Sequence, residues 1–124
     1  MSKVVVVIED DKDILDMIEY ILTDAGYTVQ AYTSIERLDK IIAHQPALIL
    51  LDVRLADGSG DELCMAIKNN AATAHIPVIL VSARPNLEHT AIKCKADAFI
   101  AKPFDLEELT GTVNKFIGKQ ASSV

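Results

Sequence analysis

Glu9, Asp10 and Asp11 follow directly on the aliphatic run VVVVI, Asp52 closes a second apolar run, ALILLD, Ser82 closes a third, VILVS, and Lys102 stands just past a fourth, AFIA. Carboxylates gathered in one place repel each other, so their pKa values rise or a cation must join them. A set of oxygen donors with room for water suits a hard divalent ion such as Mg2+ or Mn2+, which takes one or two carboxylates and keeps several waters. A carboxylate, a hydroxyl and an ammonium beside such an ion are equipment for handling a phosphoryl group. Asp52 could attack phosphorus as a nucleophile, Lys102 and the ion would neutralise the phosphoryl oxygens, and Ser82 would donate a hydrogen bond. No Gly-rich loop follows the first apolar run to cradle a nucleotide. The phosphate is therefore expected on the protein itself.

That chemistry requires the residues to meet, and the alternation of elements says how. Strands are expected over Val4 to Ile8, Thr28 to Tyr32, Ala47 to Asp52, Val78 to Ser82 and Ala98 to Ala101. The runs VVVVI, ALILL and VILV are apolar at every position, the pattern of central parallel strands covered on both faces, whereas TVQAY alternates and reads as an edge strand. Helices are expected over Lys12 to Ala25, Ser34 to His44, Ser59 to Asn70, Asn86 to Lys95 and Asp105 to Gly118. Gly26 suits a left-handed C-terminal cap, Ser34 and Asp105 suit N-caps, and Pro46 and Pro77 stop helical continuation. Strand-helix alternation implies right-handed crossovers and a doubly wound α/β sandwich. Sites in such sheets form beyond the carboxyl ends of the strands, which brings the acids, Ser82 and Lys102 to one rim. Asp11 is set aside from the metal donors, because at the start of a helix it serves as an N-cap.

Bulk properties narrow the classes. The 124 residues suit one domain with its own core, and a formal charge of -6 argues against nucleic acid and anionic membrane surfaces as partners. Cys64 and Cys94 match neither a CxxC pair nor a zinc spacing and read as reduced core thiols. MSKVVVVIEDD is unlike a signal peptide and no apolar stretch approaches the ~20 residues of a spanning helix, so a cytoplasmic location is expected. His44, His75 and His89 sit in unrelated segments and read as surface residues.

The segments VVVVIEDDKDIL, LILLDVRLADGSG, VILVSA and ADAFIAKPF, in that order, resemble the motifs of the response regulator receiver domain over nearly the whole chain. The resemblance implies a flavodoxin-like five-stranded parallel sheet in the order 2-1-3-4-5 with helices on both faces. It implies Asp52 as phosphoacceptor, Glu9 and Asp10 with Asp52 and the backbone carbonyl of Arg54 as Mg2+ ligands, and Ser82 and Lys102 as phosphoryl contacts. It also implies Phe99 at the aromatic switch position and a cis bond between Lys102 and Pro103. Arg54 and Arg84, two residues beyond Asp52 and Ser82, fall where the family tunes phosphoryl lifetime. Two departures stand out: Ala56 in place of a common Pro and Lys95 in place of a common Gly.

The implied partners are a histidine kinase or phosphotransfer protein, met beside the acidic rim near Leu15 and Met17 at the margins of the first helix's apolar arc, and a downstream protein target. The expected organisation is a stand-alone receiver over 1–120 with a loose tail over 121–124. Such a domain would catalyse its own phosphorylation and dephosphorylation without being a conventional enzyme. A dehalogenase-type phosphatase would want a second Asp where Arg54 stands. The remaining alternative is a receiver-like interaction module that no longer uses phosphorylation, against which the intact site residues argue.

Overall fold

The computed structural model describes residues 4–34, 43, 45–55 and 58–118. Five parallel strands form one sheet: β1 (Val4–Ile8), β2 (Thr28–Tyr32), β3 (Leu48–Asp52), β4 (Val78–Ser82) and β5 (Ala98–Ala101), in the spatial order β2-β1-β3-β4-β5. The three runs that are apolar at every position are the three central strands, as a sheet covered on both sides demands.

Four helices are described: α1 (Lys12–Asp24), α2 (Gly60–Lys68), α3 (Leu87–Cys94) and α4 (Leu106–Val113). Alternate residues of each central strand feed opposite cores. Ile49, Leu51 and Leu80 pack with Leu63, Cys64 and Ile67 of α2 and with Leu87 and Ala91 of α3. Leu48, Leu50 and Val81 pack with Ile18 and Leu22 of α1 and with Leu109 and Val113 of α4. Burying such a side chain stabilises the fold by about 1.5–3 kcal/mol, so the two layers hold the sheet, and the loops at its carboxyl end, in fixed positions.

Local chemistry sets the ends. Asp11 caps α1, its side chain accepting from the N–H groups of Asp13 at 3.0 Å and Ile14 at 3.3 Å, and Asp105 caps α4 by accepting from Glu108 N–H at 2.7 Å. Gly26 after α1 has φ +100°, where a side chain is strained. Asn86 and Lys95, expected inside the third described helix, instead bound it in left-handed conformations at φ +60° and +65°. Ser59, expected to begin a helix, pairs with Arg54 in a two-residue antiparallel ladder. At the other end of α2 the expected helix stops short of Asn70, whose side chain accepts from Ala72 N–H at 2.9 Å and so competes with helical bonding. The last helix is α-helical only to Val113 and continues as a π-helix over Asn114–Gly118, where Tyr27 Oη donates to the Asn114 side-chain oxygen. The helix expected over 34–44 and the tail 121–124 lie outside the described residues, apart from Ser34 and Ala43.

Candidate functional site

The carboxyl ends of β1, β3, β4 and β5 enclose a cleft of about 480 Å³ lined by Glu9, Asp10, Asp11, Asp52, Ser82, Ala83, Arg84, Pro85 and Lys102. Each polar residue is there because an apolar strand carries it in. Glu9 ends up only 1% exposed and Asp52 5% exposed, with Ser82 equally buried, while Asp10 and Arg84 face solvent. Burying two carboxylates side by side is costly unless their charge is answered. Lys102 answers it: its Nζ lies 2.8 Å from Glu9 Oε1 and 3.5 Å from Asp52 Oδ2. The expected cis bond between Lys102 and Pro103 is present.

The electrostatics follow from this packing. Burial, together with a hydrogen bond to the Asp52 carboxylate, pushes the Glu9 carboxyl up from 4.5 to about 7, while Lys102 and the Asp11 N–H, which donates to Glu9 Oε2 at 3.1 Å, pull the other way. Burial alone would lower the Lys102 pKa, but its hydrogen bond to Glu9 and the charges of Glu9 and Asp52 outweigh that and hold it above the ordinary lysine value. Ser82 Oγ accepts from Arg84 N–H at 3.1 Å, which ties the loop after β4 to the cleft.

One carboxylate oxygen from each of Glu9, Asp10 and Asp52 lies within 4.8 Å of the others. An all-oxygen donor set of this kind fits Mg2+ or Mn2+. Asp11 lines the cleft, but its side chain is engaged as the α1 cap.

The expected residues are thus brought together, with three qualifications of place. The Arg54 backbone opens the short ladder just past Asp52, and its side chain lies outside the described residues, as does Ala56. Phe99 lies on β5, is not among the residues that line the cleft, and is 41% exposed. Leu15, expected at the partly exposed margin of α1, is buried at 4% against the second core, whereas Met17 at the other margin is 43% exposed.

Two features escaped the reading of the sequence. Gly60 packs directly on the backbone of Asp52; its signal, the DGSG stretch, reads from sequence only as a tight turn. A second groove of about 490 Å³, lined by Ile14, Met17, Ala83, Lys102, Pro103 and Phe104, adjoins the acidic cleft and shares Ala83 and Lys102 with it. Nothing in a linear pattern announces a groove assembled from a helix and two loops.

A family model described as the response regulator receiver domain matches residues 5–114. The chain belongs to the response regulator receiver domain family. It resembles the response regulator ArlR of Staphylococcus aureus, with 30% identity over a 119-residue alignment that covers 94% of this chain and 53% of that protein. This receiver domain thus spans about half the length of the curated relatives it matches. A CheY-like receiver domain protein of Methanospirillum hungatei superposes with a TM-score of 0.86 at 28% identity, covering 100% of both chains. The receiver domain of a sensor histidine kinase from Pseudomonas aeruginosa, solved with a magnesium ion in its active-site cleft, shares the fold with a TM-score of 0.85 at 22% identity, over 95% of this chain and 99% of that one. Receiver domains of response regulators act in two-component signalling. No helix among the described residues is long and apolar enough to cross a membrane.

Proposed function

We propose that this receiver domain accepts a phosphoryl group on Asp52, in a Mg2+-dependent reaction, from the phosphohistidine of a histidine kinase or phosphotransfer protein, and so switches a protein-binding surface. The observation that carries this reading is the buried cluster of Glu9, Asp52 and Lys102, with Lys102 Nζ 2.8 Å and 3.5 Å from the two acids. In the transfer, an Asp52 carboxylate oxygen forms a bond to phosphorus as the phosphorus-nitrogen bond to the donor imidazole breaks, and the electron pair stays on that nitrogen. Glu9, Asp10 and Asp52, with the Arg54 carbonyl, would hold the ion, which supplies charge neutralisation at the phosphoryl oxygens. Lys102, already beside Asp52, needs only a small movement to reach a phosphoryl oxygen. Ser82 accepts through its oxygen and keeps its hydroxyl hydrogen to donate to the same group.

The adduct would add about -1.5 to -2 charge units. Its contacts to Ser82 and Lys102 would draw the loop after β4 inward and let Phe99 leave its exposed position, changing the α3, β5 and α4 surface offered to a downstream target. Moving such a switch from nearly all off to nearly all on needs about 5.5 kcal/mol. Arg84, at the cleft mouth, and Arg54 would set the lifetime of the adduct by limiting water. The donor docks over the groove formed by Ile14, Met17, Pro103 and Phe104, since that groove shares Ala83 and Lys102 with the cleft that holds Asp52. A cytoplasmic location accords with this role.

The test is incubation with Mg2+ and a small acyl phosphate, followed by mass measurement. A base-labile adduct on the wild type, absent from Asp52→Asn and from samples with chelator, is the expected result; an adduct at another residue, or none, overturns the proposal. For docking, Met17→Asp should slow transfer from a phosphohistidine protein at least about tenfold, worth about 1.4 kcal/mol, and leave acyl-phosphate phosphorylation unchanged. Equal effects on both donors would remove the groove from the account.

A further inference from the structure

Gly60, the first residue of α2, lies against the main chain of Asp52. A Cβ placed on it would sit 1.9 Å from the Asp52 carbonyl oxygen, 2.8 Å from its carbonyl carbon and 2.9 Å from Val53 Cα. Real Cβ atoms stay beyond 3.0 Å of such neighbours, so any side chain requires more than 1 Å of separation. Gly111 in α4 provides the contrast, with nothing within 4 Å of the corresponding position.

The obstacle is backbone, and both sides of the contact are held. β3 is bonded on one edge to β1 and on the other to β4, with Leu51 opposite Ile8 and Asp52 opposite Val81. α2 is anchored by Leu63, Cys64 and Ile67 in the core, and Gly60 N–H donates to Val53 O at 2.7 Å. Among the described residues, the segment between them is the short ladder of Arg54–Leu55 with Gly58–Ser59. The separation demanded by a side chain therefore falls on the peptide of Asp52 and on the segment just past it.

We infer that Gly60 is a positioning residue for Asp52: its missing side chain lets α2 begin against the Asp52 carbonyl, which sets the carboxylate in line with Lys102 and the cation donors. This rests on Asp52 being the phosphoacceptor. Misplacing a reacting group by about 1 Å costs on the order of 100-fold in rate, and the shift required here is of that size.

The experiment compares Gly60→Ala, Gly111→Ala and wild type for thermal unfolding, for Mg2+ affinity by calorimetry with the metal alone, and for kcat and KM of phosphorylation by a small acyl phosphate at saturating Mg2+. Gly60→Ala is expected to fold, to bind Mg2+ about tenfold more weakly, and to lose on the order of 100-fold in kcat with KM changed less than about twofold. Gly111→Ala should match wild type in binding and rate. Leu63→Ala, which loosens α2 without adding an atom near Asp52, should lower the melting temperature and spare kcat. Wild-type kcat and Mg2+ affinity in folded Gly60→Ala overturn the inference, and so does an equal kcat loss in Leu63→Ala. Failure of Gly60→Ala to fold even in sucrose, which strengthens the compact state, also overturns it, because the contact would then serve the fold. A wild type that takes no phosphoryl group fails the reading of Asp52 itself, a result distinct from all of these.

Discussion

The two ends of the sheet each hold a lysine against acids, and they do it differently. At the amino end, Lys68 Nζ sits 2.7 Å from Asp97 Oδ2 and also donates to the carbonyls of Ala74 at 2.9 Å and Ile76 at 2.8 Å, while Asp97 accepts from Val78 N–H at 2.8 Å. One cation faces one anion, and backbone groups take up the remaining donors and acceptors. At the carboxyl end, Lys102 faces both Glu9 and Asp52, with Asp10 beside them and an open cleft above. A charge-matched pair is a fastening between elements. A cluster with acids in excess holds a standing demand for positive charge, which is what a cation or a phosphoryl transfer site uses.

The pH response should separate the two ends most strongly. The Glu9 carboxyl is raised from 4.5 to about 7 in the fold, so between those values the native state holds more protons than the unfolded chain. Its stability therefore falls as pH rises through that window, by roughly 3 kcal/mol from this one group. Urea melts of wild type and Glu9→Gln across pH 4.5 to 7 should show this fall as the difference between the two proteins, and Mg2+ should reduce it by favouring the ionised form. Parallel pH profiles for the two would place the acid excess elsewhere.

Removing the other lysine is the next test. Lys68→Met leaves Asp97 without its cation and should cost about 2–3 kcal/mol, the low side for a buried pair because Asp97 is one-third exposed. Mg2+ affinity should stay at the wild-type value. Lys102→Met should instead tighten Mg2+ by about tenfold through removal of a competing cation, and without the ion it should cost at least as much stability as Lys68→Met, since it leaves Glu9 and Asp52 buried without their cation. If both lysines shift Mg2+ binding, the ends are coupled and the contrast drawn between them fails.

The smallest effect concerns Lys95, which occupies a left-handed position at φ +65° after α3. Lys95→Gly should stabilise the protein by about 1 kcal/mol, since its only described side-chain partner is the exposed Asn69 at 3.4 Å. An unchanged unfolding midpoint would mean that the left-handed strain is answered elsewhere.

Much of this is legible in the amino-acid sequence. Four of the five strands run between the expected residues: Val4–Ile8 and Val78–Ser82 because continuous aliphatic runs have no other low-energy place than the middle of a covered sheet, and Thr28–Tyr32 and Ala98–Ala101 as its edges. The cleft residues were legible for the same reason: a strand's carboxyl end is located once the strand is. Helix margins were not. Leu15 and Met17 flank one apolar arc from opposite sides, and periodicity treats them alike; packing against the second core covers Leu15 and leaves Met17 exposed.

The order of amino acids thus determined the strands, their central or edge rank, and which polar side chains would reach the rim, since those depend on hydrophobic pattern and chain direction alone. Only the folded arrangement decided that Lys102 would sit closer to Glu9 than to Asp52, that Gly60 would press on the Asp52 carbonyl, and that two loops and α1 would frame a groove. These are distances between residues far apart along the chain or on opposite sides of a turn. They come from close packing of the completed layers, which no local pattern encodes.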